Sequence, residues 1–216
     1  MSGERATTDS SAARFALLSA TTMIAHQVAG KATRDGLFLT HFDVAQLPKV
    51  VIASAIASIA GVLAMSWLLA RYGPARLVPR MFVLSAALFV CEWVLAGTQP
   101  APAAVVLYLH MGTFGALLIS GFWSVVNERF DPHSAKATIA NVAAAATLGG
   151  LVGGFIAESV ADIDVRAMLL VLAAMHAACA WSVGRVGAGT STRAAAGAGL
   201  QVRSGMRVLA GSHYLL

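Results

Sequence analysis

Three charged residues, Lys31, Arg34 and Asp35, follow an apolar run and form the strongest candidate for a binding site. Lys31 and Arg34 are three positions apart, so on a helix both cations lie on one face and favour binding of an anion. If the run spans a membrane, each charge costs about 2.5–3.5 kcal/mol near the bilayer centre and is retained where it pairs or lines a water-filled path. In the alternative interpretation the span ends near Gly30 and the charges lie in the outer interface.

Isolated polar residues interrupt later apolar runs. His110 lies midway along one run, where an interhelical hydrogen bond is more common than a role as a ligand. We nevertheless group His110 with Lys31, Arg34 and Asp35 as candidate substrate-binding residues. Glu92 requires a partner inside its run or a position near the outer interface, and His26 and His176 are interpreted in the same way as His110.

Two further groups of residues are candidates for roles in helix movement and packing. Charges at both ends of the loop NERFDPHSAK and in the loop RYGPAR predict a cytoplasmic network that breaks and reforms as helices rock, a solvated loop being the alternative. Glycines spaced by four residues predict close helix packing. The network residues are Arg71, Arg76, Glu128, Arg129, Asp131 and Lys136, and the glycines are Gly149, Gly150, Gly153 and Gly154.

The remaining chemistry-bearing residue types show no catalytic or metal-binding spacing. The six histidines and the acids do not form a metal motif, and the sequence has no nucleophile elbow and no phosphate-binding loop. We therefore expect neither an enzyme nor a cofactor. The net charge of +5 is not arranged as a basic stretch interleaved with aromatic residues, so nucleic acid is not the expected partner. Cys91 and Cys179 lie inside apolar runs and are expected to be packed thiols.

The elements that position these residues are predicted to be membrane-spanning helices. Hydrophobic residues make up 58% of the 216 residues and charged residues 12%, about half the charge of a soluble domain. A spanning helix needs about 20 mostly apolar residues. Six such runs predict an all-α, multi-pass bundle, with a turn at 97–102 between the third and the fourth. The predicted spans are 15–30 (extending to about 39), 50–70, 77–96, 103–126, 137–157 and 167–184.

The distribution of lysine and arginine predicts the orientation and the domain boundaries. Most of these residues fall on the side of the N-terminus, so the positive-inside rule places both termini in the cytoplasm of a cell membrane protein. Residues 1–14 are expected to be a cytoplasmic tail, 15–185 the six-helix domain, 186–205 a flexible cytoplasmic linker, and 206–216 the start of a truncated second half.

A short internal similarity suggests that the first three spans are related to the last three. HFDVAQLPKVVIA at 41–53 resembles RFDPHSAKATIA at 129–140. Three spans per unit force the two units into opposite orientations, and inverted repeats of this kind are typical of transporters. The matched pairs are Phe42 with Phe130, Asp43 with Asp131, Lys49 with Lys136 and Ile52 with Ile139.

With these features the sequence resembles the N-terminal half of a major-facilitator-type transporter. It is more specifically similar to the ATP:ADP antiporter (nucleotide transporter) family of bacteria and plastids and to its bacterial relatives. This resemblance is carried by KATRDGLFLTHF at 31–42, LPKVVIA at 47–53 and LISGFWSVVNERFDPHSAKATIAN at 118–141. It implies a 3+3 inverted repeat forming half of a transporter of twelve helices.

The resemblance also implies roles for individual residues. Arg34 stands where the family has a lysine in its first span, and Asp35 follows it as in the family's Lys-Asp pair. Gly112 stands where the family has an acid in its fourth span. The implied partners are the lipid bilayer, a small anionic solute such as a nucleotide, and a C-terminal half or a second copy.

The leading hypothesis is therefore a secondary transporter that works by alternating access. The alternative is a membrane sensor or scaffold that has lost transport and anchors cytoplasmic domains, and the glycine in place of the acid favours this alternative. A six-span protein that works as a homodimer is the third possibility.

Overall fold

The chain folds into long α-helices. The structure is a computed structural model that describes residues 2–130, 136–161 and 164–188. Within these ranges there is no β-strand, which confirms the predicted all-α class. The helices are α1 (Ser2–His41), α2 (Leu47–Tyr72), α3 (Pro74–Thr98), α4 (Pro100–Arg129), α5 (Lys136–Ala161) and α6 (Ala167–Gly187), with a short 3-10 helix at Val44–Gln46.

Proline marks the start of three of these helices. A proline in the first turn lacks only an N–H that would have no partner inside the helix. Gly73, with φ of 73°, separates α2 from α3, and Gln99 alone separates α3 from α4. The predicted turn at 97–102 is therefore shorter than expected, because Pro100 and Pro102 lie in the first turn of α4 and do not interrupt it.

Five of the six helices are long and apolar enough to cross a membrane, which indicates a multi-pass membrane protein. Among the described residues these are α2 to α6. The predicted sixth span is not confirmed, because α1 does not reach the same hydropathy. Its polar residues include His26, Gln27 and Lys31, close to the middle of the helix.

The helix α1 is also longer than the predicted first span. It begins at Ser2 and so includes most of residues 1–14, which were assigned to a tail. At the other end of the chain α6 extends to Gly187. The predicted linker at 186–205 and the predicted second half at 206–216 lie almost entirely outside the described residues.

The helices pack around α1 and α4. The helix α1 contacts α4, α5 and α6, while α4 contacts α2 and α3, and α3 packs along α6. The helices α2 and α5 lie at the outside and are the least buried of the apolar helices. Large apolar side chains on them are exposed, including Ile56 and Leu63 on α2 and Leu151 and Phe155 on α5, as expected for surfaces in contact with lipid.

Glycines allow α5 to lie directly against the backbone of α1. A Cβ atom at Gly149 would overlap the carbonyl oxygen of Thr21, and one at Gly153 would overlap that of Ala25. At Gly154 a Cβ atom would meet nothing within 4 Å, and at Gly150 it would make an ordinary contact of 4.0 Å with Ile24. Close approach therefore depends on Gly149 and Gly153, one turn apart on the face of α5 that meets α1.

The contact between α1 and α5 generates a prediction with an internal control. We expect Gly153→Ala to destabilise the bundle by about 1–3 kcal/mol, because the new methyl group must push two backbones apart. Gly154→Ala places the same group in open space and should change stability by less than about 1 kcal/mol. Unfolding of both variants in detergent micelles, followed by circular dichroism, measures the difference. Equal stability of the two variants would contradict the packing described here.

Candidate functional site

Arg34 lies between α1 and α4. Its Nε atom is 2.9 Å from Oδ1 of Asp35, and its guanidinium carbon is 4.1 Å from the centre of the Tyr108 ring. Tyr108 is buried against Phe38 of α1, whereas the Arg34 side chain retains 17% of its exposure. A guanidinium held over an aromatic ring and beside a carboxylate has a fixed orientation and can still present N–H groups to an anion.

The other residues near this end of α1 do not enclose a ligand with Arg34. Lys31 is exposed. A cavity of about 100 Å³ lies beside Thr33 and Gly36, between α1 and residues of α5 and α6 such as Ala157 and Met168. Ligand pockets are usually about 300–1,000 Å³, so this cavity is too small for a nucleotide.

His110 belongs to a buried chain of polar side chains that connects three helices. Its Nδ1 atom lies 2.9 Å from Oε1 of Glu92 on α3, and its Nε2 atom lies 2.7 Å from Oγ of Ser85, also on α3. The same serine oxygen lies 2.8 Å from Nδ1 of His176 on α6. All four side chains are buried, with at most 6% of the residue exposed.

The chain meets α1 at a pair of stacked imidazole rings. The ring centres of His26 and His176 are 3.5 Å apart and their planes differ by 20°. The aromatic residues Phe82 and Phe89 pack edge-on against this pair. Four helices thus contribute side chains to one polar cluster in the interior of the bundle.

Some atoms of this cluster have no hydrogen-bond partner among the described residues. They are Oε2 of Glu92, Nε2 of His176 and both ring nitrogens of His26. Buried polar side-chain atoms in native proteins usually have a partner, so each exception requires an explanation.

The structure therefore separates His110 from the other three candidate substrate-binding residues. Tyr108 and His110 are two positions apart, which on a helix turns their side chains about 200° from each other. Tyr108 faces α1 and Arg34, whereas His110 faces α3. The interhelical hydrogen bonds that were the alternative interpretation of His110 are present, and its role in substrate binding stays a prediction.

Gly112, at the position of the expected fourth-span acid, is a point of contact between α4 and α2. Its carbonyl oxygen accepts a hydrogen bond of 2.9 Å from Oγ of Ser58. A Cβ atom at Gly112 would overlap Oγ of Ser54 and lie 3.0 Å from its Cβ. An acid at this position would therefore require α2 and α4 to separate.

The residues of the predicted cytoplasmic network lie near the ends of their helices. Arg71 is exposed, with its guanidinium carbon 5.6 Å from the centre of the Trp67 ring. Arg76, Glu128 and Lys136 are also exposed. Arg129 is partly buried, and Asp131 lies outside the described residues. The network stays a prediction.

Sequence reasoning identified the histidines and Glu92 but not the residue that joins them. Ser85 is a single serine in an apolar run, and serine is ordinary in spanning helices. Nothing in its local sequence distinguishes it from Ser66 or Ser182. The one available signal was that Glu92, His110 and His176 occur on three different predicted spans and each needs a buried partner.

The contact at Gly112 generates a prediction. We expect Gly112→Ala to destabilise the bundle by about 1–3 kcal/mol, because its methyl group overlaps Ser54. Combining it with Ser54→Gly should restore part of this loss, since residues in contact are energetically coupled. A double-mutant cycle measured by unfolding in detergent tests the coupling. Strict additivity of the two substitutions would show that the helices do not meet here.

Comparison with known proteins gives no relative. No protein-family model, curated protein or solved structure matches this chain. The resemblance to major-facilitator-type and ATP:ADP antiporter proteins thus stands on the residues quoted above and remains a hypothesis.

Proposed function

We propose that the chain is a six-span unit of a secondary transporter that moves an anionic solute. The observation that carries this proposal is the repetition in the helix packing. The contact of α1 with α5 has its counterpart in the contact of α4 with α2, and that of α1 with α6 in that of α4 with α3. If α1–α3 are exchanged with α4–α6, the contacts of α1 with α4 and of α3 with α6 are unchanged. The small contact between α4 and α6 has no matching contact between α1 and α3 among the main contacts.

This packing supports a repeat that relates α1–α3 to α4–α6. The internal sequence similarity supports the same relation, since Phe42 directly follows α1 and Phe130 directly follows α4. Glycine contacts also correspond, because α5 meets α1 at Gly153 and α2 meets α4 at Gly61. Inverted repeats with a substrate site near their interface are a common architecture of secondary transporters.

In this proposal α1 is the sixth span despite its lower hydropathy. A helix that is surrounded by other helices does not face lipid and can retain polar side chains. The polar residues His26 and Gln27 are buried between α1 and its neighbours, with exposures of 0% and 6%. The N-terminus is then cytoplasmic, and Arg34 lies at the outer side.

The solute site is formed by Arg34, with Lys31 as a second cation, at the contact of α1 and α4. Because the neighbouring cavity is too small for a nucleotide, the substrate cavity is completed by a second six-helix unit, supplied by a longer chain or by a second copy. Alternating access follows from rocking one unit against the other. A glycine at position 112 supports the alternative of a sensor or scaffold without transport.

Removal of the cation tests the transport proposal. We expect Arg34→Ala to abolish uptake of radiolabelled ATP or inorganic phosphate into proteoliposomes, because no other side chain in the described part of the chain supplies a fixed guanidinium at this place. Arg34→Lys should retain part of the uptake, since it keeps the charge but loses the planar donor geometry. Arg80→Ala is the matched control. It replaces an exposed arginine near the start of α3, and this variant should transport as the wild type does.

Two outcomes would count against this assignment. Unchanged uptake by Arg34→Ala, with normal insertion, removes Arg34 from the site. Absence of uptake of any tested anion by the wild-type protein, alone and with a second unit, favours the sensor or scaffold.

A further inference from the structure

A second activity is indicated by the buried chain Glu92–His110–Ser85–His176, which we call the relay. We propose that the relay carries a proton between the groove formed by α3 and α4 and the centre of the bundle. This inference does not rest on anion transport, because Arg34 and the relay lie on different sides of α4.

The relay is continuous in geometry. Its three contacts, between Glu92 and His110, His110 and Ser85, and Ser85 and His176, measure 2.9, 2.7 and 2.8 Å. Each lies within the range of a hydrogen bond along which a proton can pass. Imidazole nitrogens and carboxylate oxygens can each hold a proton, and the serine hydroxyl exchanges one proton for another.

The single proton of the Ser85 hydroxyl fixes which way the hydrogen bonds of the relay point. Ser85 has one proton, so it donates to one imidazole and must accept from the other. If it donates to Nε2 of His110, then His110 carries its proton on Nδ1 and donates to an ionised Glu92, while His176 donates from Nδ1 to the serine. In this first state neither Nε2 atom carries a proton.

The second state is the first with one proton added. A proton that binds Nε2 of His176 releases the Nδ1 proton to Ser85, which passes its own proton to Nε2 of His110. His110 in turn passes its Nδ1 proton to Oε1 of Glu92 or shares it with that oxygen. Three protons have moved by one bond each, one proton has been taken up, and both Nε2 atoms are now protonated. The reverse sequence returns the proton to the starting atom.

The ends of the relay are the atoms that lack partners. Nε2 of His176 and Oε2 of Glu92 are buried and have no hydrogen bond within the described part of the chain. A network whose role is only to join helices would gain stability by pairing these atoms, since an unpaired buried polar atom costs about 1–3 kcal/mol. An atom that must accept and release a proton has to remain available.

One end of the relay reaches a groove and the other reaches the bundle centre. Glu92 and His110 line a groove of about 260 Å³ on the surface between α3 and α4, whose other lining residues include Leu88 and Phe114. Glu92 is six residues before the end of α3, about 9 Å along the axis at about 1.5 Å per residue. Ser85 lies near the middle of the same helix, so the relay runs from near the C-terminal end of α3 to its middle.

Other titratable or charged groups near the relay are few and come from different helices. His26 of α1 stacks on His176 and is the group that a proton leaving the relay would meet next. Arg166 donates a hydrogen bond of 3.3 Å to the carbonyl oxygen of Trp93, the residue after Glu92. Its charge lies near the groove end of the relay and not near His176.

The experiment is ¹⁵N solid-state NMR of the full-length chain with labelled histidine, in lipid bilayers, as a function of pH. We expect Nε2 of His110 and Nε2 of His176 to gain a proton in the same transition, with His110→Gln and His176→Gln assigning the signals. In Ser85→Ala the two rings should no longer change together, because the connecting hydroxyl is absent. Glu92→Gln should abolish the joint transition, since the amide cannot take up the proton.

The matched control is Ser182→Ala, which removes another buried serine whose hydroxyl accepts a 2.7 Å hydrogen bond from Ser19. It should retain the joint transition, so a loss seen only in Ser85→Ala is not a general effect of removing a buried hydroxyl. The proposal is overturned if the wild-type rings keep one protonation pattern at all pH values. It is overturned equally if Ser85→Ala behaves as the wild type does.

Discussion

Lipid offers no hydrogen bonds, and the rest of this structure depends on that constraint. An ionisable side chain in a membrane span must be turned to the interior of the bundle and find its partners there. Glu92, His110, His176 and His26 come from four helices and meet in one cluster. The positions of α1, α3, α4 and α6 follow from this requirement, because each must present its polar residue to the others while its apolar residues face outward.

Close packing of helix backbones is the second consequence of a lipid environment. Water does not drive helices together in a bilayer, so association relies on van der Waals contact and on small residues that permit it. Gly153 against Ala25 and Gly112 against Ser54 provide this contact on opposite sides of the bundle. An acid at position 112 would require α2 and α4 to separate.

The helices could be predicted from the sequence, but the polar cluster could not. Each apolar run is a local property, so α2 to α6 begin and end close to the predicted positions, and the main error was to treat 97–102 as a turn when proline initiates α4 there. In α1 the apolar pattern is interrupted, because His26, Gln27 and Lys31 lower its hydropathy although the first two are buried by neighbouring helices. The link through Ser85 depends on which faces of α3, α4 and α6 meet, and that information is not local. The contact of Arg34 with Tyr108 depends on helix rotation in the same way.

The central claim is that α1 crosses the membrane as a polar helix sheltered by apolar ones. Labelling of single cysteines with a membrane-impermeant maleimide tests it most directly, in a variant with Cys91 and Cys179 replaced by alanine. Ser10→Cys and Asp43→Cys place exposed thiols near the two ends of α1. We expect the thiol of the Asp43→Cys variant to react in intact cells and that of the Ser10→Cys variant to react only after permeabilisation. Reaction of both from the same side would contradict it.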